Sequence, residues 1–164
     1  MSKAVLISIH PEWCEKIING EKTIEVRKTR PKLDTPFKCY IYCTLPKYPH
    51  EDVIRTDYPK PQFYGGGKVI GEFTCDRIYE LAPLNHAPDD VERQACLTRE
   101  EIVQYLKGIG YGWHITGLRI YNKPRKLSEF TGLRDTKFGA VPYDIKRAPQ
   151  SWCYVEEVQN GRVR

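Results

Sequence analysis

The stretch from Gly20 to Lys28, GEKTIEVRK, constrains the local fold most: a helix-stopping glycine runs directly into a strand that alternates charge with branched apolar residues. Upstream, Pro11 suits the first turn of a helix and Trp13, Cys14, Ile17 and Ile18 supply its apolar stripe, so Gly20 falls where a left-handed cap is expected. The strand begins at once. Alternation puts Ile24 and Val26 on one face and Thr23, Glu25 and Arg27 on the other, with Lys22 at the entrance, where a bulge can turn it to either side. A lysine, a glutamate and an arginine are thereby confined within one short strand. They either build a site or form an ion pair at the strand end, which contributes little energy.

Around this segment the pattern is mostly β. Residues 4–9 (AVLISI) read as the first strand, and Phe37, Cys39, Ile41 and Cys43 alternate with Lys38, Tyr40, Tyr42 and Thr44, which predicts one core face and one wetter face. Residues 45–67 break the pattern with Pro46, Pro49, Pro59, Pro61 and Gly65 to Gly67, a loop long enough to be functional or disordered. Its end, Gly65-Gly66-Gly67-Lys68, lacks the first glycine and the Ser or Thr of a phosphate loop and reads as a turn. Residues 68–80 are the longest strand candidate, with Val69, Phe73, Cys75 and Tyr79 on one face and Glu72, Thr74 and Asp76 on the other. Thr98 and Glu101 form a capping box opening a helix through Ile102, Val103, Tyr105 and Leu106 that stops at Gly108. Strands at 113–121 and 152–158 follow, separated by loop or short helix around 124–133. Strands outnumber helices and do not alternate with them, so the expected fold is α+β, mainly β: a small closed or partly closed barrel with two or more flanking helices, one domain over residues 1–164.

The six cysteines sit inside predicted elements with no secretory signal, which predicts buried, reduced thiols and a cytoplasmic protein. Cys39, Cys43 and His50 are the one spacing that invites zinc, but without any Cys-x-x-Cys pair no metal or other cofactor is expected. No apolar run approaches the length of a membrane span. Charge is uneven: residues 1–68 carry twelve Lys or Arg against eight acids, 69–112 four against eight, and 113–164 ten against five. If the basic flanks meet, the protein has a face suited to phosphate or nucleic acid; otherwise the cations are a solvated surface.

The order helix, Gly20-Glu21-Lys22-Thr23, Glu25, Arg27, with one strand before it and Gly71-Glu72-Phe73 after it, resembles the ASCH domain of the PUA-like superfamily. Its most specific part is Ile9 to Lys28, and the segments Trp113 to Ile115 and Pro149 to Val155 are similar to those of bacterial and phage-borne members. The resemblance implies a β-barrel with a cleft beside Lys22 and Arg27, and two kinds of function: RNA-binding or regulatory modules, and amidohydrolases that deacylate N4-acetylcytidine. In the amidohydrolase pattern a threonine nucleophile stands three residues after the lysine. Here Glu25 occupies that position, and the pattern's later glutamate aligns with Arg93, next to Glu92.

The leading expectation is therefore a module that binds RNA, a nucleotide or a nucleoside in a cleft formed by Lys22, Glu25 and Arg27. Trp13, His10, Trp113 and His114 are the stacking or contacting candidates, and Arg119, Lys123, Arg125 and Lys126 the candidates for backbone phosphates. The enzymatic alternative uses Lys22 and Glu25 as the catalytic pair, Glu25 acting as a general base on water. A third reading makes the 45–67 loop a protein-interaction adaptor. The oligomeric state cannot be read from the sequence.

Overall fold

The computed structural model describes residues 2–45, 66–82 and 84–159. Among these residues eight strands carry the fold: β1 (Lys3–Ile9), β2 (Ile24–Arg27), β3 (Phe37–Cys43), β4 (Lys68–Glu80), β5 (Tyr111–Arg125), β6 (Thr131–Thr136), β7 (Gly139–Asp144) and β8 (Trp152–Glu156). Three helices join them: α1 (Pro11–Ile18), α2 (Val91–Ala95) and α3 (Arg99–Leu106). All eight strands form one sheet in the order β2-β5-β4-β3-β1-β8-β6-β7. The expected barrel closure is absent: the sheet is open in order, with no ladder between β2 and β7 among the described residues.

β1 and β3 pair in parallel, Val5 opposite Cys39 through Ile9 opposite Cys43, while the neighbouring ladders run antiparallel. A parallel pair needs a long crossover, and α1 with β2 supplies it. The sheet has apolar packing on both faces. On one, Val5, Ile7, Ile9, Phe37, Cys39, Ile41, Phe73, Cys75 and Trp113 bury themselves with Cys14 and Ile17 of α1. On the other, Leu6, Tyr40, Val69, Tyr121, Phe130 and Val155 form a second core. The "wetter" face expected of β3 is thus partly a core of its own, with Tyr40 fully buried.

Val69 and Phe73 were expected on one face, but Val69 packs in the second core and Phe73 in the first. Register shifts between Ile41 and Tyr42 and between Val69 and Gly71 interrupt the period of two, so parity stops predicting the face. Close approach explains Gly71: a Cβ there would stand 2.5 Å from the Arg119 carbonyl oxygen. A third cluster, Ile24, Val26, Leu81, Val91, Ala95, Ile102 and Leu106, seats α2 and α3 against β2. The Thr98–Glu101 capping box is present, and the left-handed residue ending α3 is Lys107 (φ 53°), one before the expected glycine. α2 and the hairpin β6–β7 were not foreseen, and β5 runs through Pro124, where a loop was expected.

The six cysteines are free thiols, four buried and two half-buried. No cluster of metal-ligating side chains occurs among the described residues, and His50 and most of the 45–67 loop lie outside them. Among the described residues no helix is long and apolar enough to cross a membrane.

Candidate functional site

The site is set by the reversal between α1 and β2. Gly20 takes φ +82°, the Lys22 backbone N–H donates to the Lys16 carbonyl at 3.0 Å, and Thr23 is pinned to α2 through Gln94, its N–H to the backbone oxygen at 2.8 Å and its hydroxyl to Oε1 at 3.0 Å. The Thr23 hydroxyl is therefore spent on α2. Lys22 turns inward and is 2% exposed. Its ammonium donates to the carbonyl of Ala95 at 2.6 Å, at the C-terminal end of α2, where outward-facing carbonyls attract a cation. It also stands 3.4 Å from Glu25 Oε1 and 5.0 Å from the ring centroid of Trp13.

Glu25 is buried between two cations. Its Oε2 accepts Arg27 Nε at 3.0 Å and Nη2 at 2.5 Å, while Oε1 faces Lys22. Burial alone pushes this carboxyl up, but the charges and hydrogen bonds of Arg27 and Lys22 outweigh it and hold the group below the ordinary carboxylate range. Arg27 has no nitrogen to spare. Nη2 also donates to the Ser8 carbonyl at 2.7 Å, and Nη1 to Ser151 Oγ at 3.2 Å and its carbonyl at 3.3 Å. The guanidinium thus ties β2 to β1 and to the segment entering β8.

Above this triad opens a cleft of about 820 Å³. Trp13 and His10 line it from α1 and its N-cap, Lys28 and Thr29 from the end of β2, Glu101, Gln104 and Tyr105 from α3, and Gln150 and Ser151 from the approach to β8. Tyr105 is 47% exposed, and Lys28 Nζ lies 5.1 Å from its ring centroid, mirroring the Lys22–Trp13 pair. Three cations (Lys22, Arg27, Lys28) face two carboxylates (Glu25, Glu101) in the lining. His10 Nδ1 is 3.2 Å from Thr44 Oγ1.

Of the residues singled out by sequence, Lys22, Glu25, Arg27, Trp13 and His10 come together in this cleft. Trp113 does not line it: it is fully buried, edge-on to Phe37 and Trp152 at 5.9 and 6.0 Å, with no ring face open to a ligand. His114 lies elsewhere, its Nδ1 2.6 Å from Asp76 Oδ1. Arg119, Lys123, Arg125 and Lys126 cluster at the far end of β5 and the turn beyond, away from the cleft lining. Arg93 pairs with Asp90 at 2.5 Å on the surface, and Glu92 accepts the Arg99 N–H at 2.7 Å, so neither supplies the cleft with a further carboxylate. Lys28, Gln104 and Tyr105 were missed. The signal was in α3, where only Ile102 and Leu106 are buried, four apart, leaving Tyr105 outside that stripe.

The family model of the ASCH domain matches residues 7–42, from within β1 through most of β3 and including α1 and β2. No curated protein matches the sequence. Among solved structures, the ASCH protein from Zymomonas mobilis superposes with a TM-score of 0.58 at 19% identity, covering 94% of this chain and 88% of that one. Two mutants of the same protein superpose with TM-scores of 0.59 and 0.55 at 19% and 18% identity, covering 94% and 95% of this chain and 89% and 92% of theirs.

Proposed function

We propose that this chain, whose residues 7–42 match the ASCH-domain model, is an ASCH-type module and that the cleft above Lys22, Glu25 and Arg27 binds a nucleotide or one base of single-stranded RNA. The observation that carries this reading is the pairing of two aromatic rings with cations in a net positive cleft, Trp13 with Lys22 and Tyr105 with Lys28. A nucleobase stacks on such rings and its phosphate is drawn to Lys28, the exposed cation of the three. The buried triad then acts as scaffold: it fixes the floor and adds one positive charge without presenting free donors. Arg119, Lys123 and Lys126, exposed at the far end of β5, are the cations a longer strand would reach after its base is held.

Hydrolysis of an acylated nucleoside through Glu25 is the weaker reading. A general base needs a free lone pair and a pKa near the working pH, whereas this carboxylate is held low and engaged by cations on both oxygens. The test is fluorescence titration of a short single-stranded RNA at low salt. Micromolar or tighter binding that quenches tryptophan emission and weakens on Tyr105→Ala is expected; absence of binding, or binding indifferent to Tyr105→Ala and Lys28→Ala together, overturns the proposal.

A further inference from the structure

The second face of the sheet holds a charge that the cleft does not use. Arg125 ends β5 and is 8% exposed, yet its Nε has no hydrogen-bond partner among the described residues, and its guanidinium carbon lies over Tyr121, 4.4 Å from the ring centroid. Arg119 approaches the same ring at 6.0 Å. One carboxylate beside this ring, Glu72, is already committed: Lys38 holds Oε2 at 2.7 Å and the Tyr121 hydroxyl donates to Oε1 at 2.9 Å. Another, Glu129, accepts the Lys126 N–H at 2.7 Å. Exposed Lys123 and Lys126 flank the position in sequence. Buried guanidinium groups are ordinarily paired, because an uncompensated one keeps its desolvation cost without a partner's attraction.

We infer that Arg125, with Arg119 beside it on Tyr121, is a binding site for a phosphate group, distinct from the cleft. Guanidinium suits this class, since its planar fork matches two oxygens of one phosphate, and the neighbouring cations add charge that a single carboxylate ligand would not need. Eleven residues of β5 lie between Trp113, opposite Glu25, and Arg125, and neither Arg119 nor Arg125 lines the cleft. The phosphate belongs either to a nucleic-acid strand or to a free phosphorylated compound.

Thermal unfolding is followed in inorganic phosphate against chloride of equal ionic strength, for wild type, the cleft variant Lys28→Ala and the double variant Lys28→Ala, Arg125→Met. Phosphate is expected to raise the midpoint of wild type and Lys28→Ala by several degrees and to leave the double variant unmoved. A rise in Lys28→Ala that survives undiminished in the double variant, or no phosphate-specific rise in Lys28→Ala, overturns the site. Because Lys28→Ala keeps the response, failure of the cleft reading leaves this result intact. The Arg125 Nε–H resonance of the wild-type protein gives a second readout that needs no variant: it shifts saturably with phosphate, and an unmoved signal overturns the site. Repeating that titration with single-stranded RNA separates the sources: a shift by both assigns the phosphate to a strand, a shift by phosphate alone to a free compound.

Discussion

The ammonium of Lys22 reaches across 73 residues of sequence to the carbonyl of Ala95 at 2.6 Å, joining the entrance of β2 to the end of α2. This contact, together with Glu25 and Arg27, makes the motif at residues 22–27 a clamp between α2, β1 and the approach to β8. Removing Glu25 leaves the two cations without the carboxylate that lies between them.

Glu25→Gln is expected to destabilise the protein by about 3–5 kcal/mol, because Lys22 and Arg27 then face each other across a neutral amide. Urea denaturation at neutral pH reads the change. A loss below about 1 kcal/mol would mean that the triad contributes no more than a surface pair.

Acid should reveal the same carboxylate. Its folded-state pKa lies below the unfolded value, so its contribution is present above the unfolded pKa and is lost as pH falls through the folded one. Wild-type stability should therefore drop below about pH 4.3, where an unfolded glutamate is half protonated. Glu72 is also held low, so the wild-type slope contains both groups, and the difference between wild type and Glu25→Gln isolates the first. Parallel pH profiles for the two proteins would contradict the assignment.

Lys28→Ala should weaken RNA binding uniformly across sequences and reduce the salt slope by about one, the signature of one lost phosphate contact. Stability should be nearly unchanged, since the side chain is exposed and its partner Tyr105 is half open to water. An unaltered slope assigns the phosphate elsewhere.

Trp13 and Trp113 should separate cleanly. Trp113→Ala empties a fully buried position and is expected to cost about 3–5 kcal/mol, whereas Trp13→Ala should reduce ligand quenching with a much smaller loss of stability. Equal costs would place Trp13 in the core rather than at the cleft.

Much of this was legible in the sequence where local chemistry decides. Pro11 and Gly20 bracket α1, Thr98 with Glu101 opens α3, an apolar run marks β1, and period-two patterning marks β3 and β4. Two physical effects hid the rest. Bulges in β4 break the parity rule that had put Val69 beside Phe73, and a sheet with apolar cover on both faces gives Tyr40 no polar alternation to betray its burial. β6 and β7 were missed because their residues are mostly exposed, Gly139 to Val141 among them, so they lack the hydrophobic period that announces a strand. Within the site, the strand places Glu25 and Arg27 together as alternation predicts, but Lys28, Tyr105 and the carbonyl of Ala95 arrive by tertiary packing that no local pattern encodes.

β8 follows β1 with six strands between them in sequence, yet it inserts between β1 and β6. A ribosome delivering this polypeptide therefore releases β1 with one flank unfilled, and that flank stays open until residues near 156 emerge. Both apolar faces remain incomplete meanwhile. Such a long-range final pairing delays folding and leaves an adhesive edge on the nascent chain, so yield in the cell should depend on how quickly synthesis passes from β7 to β8.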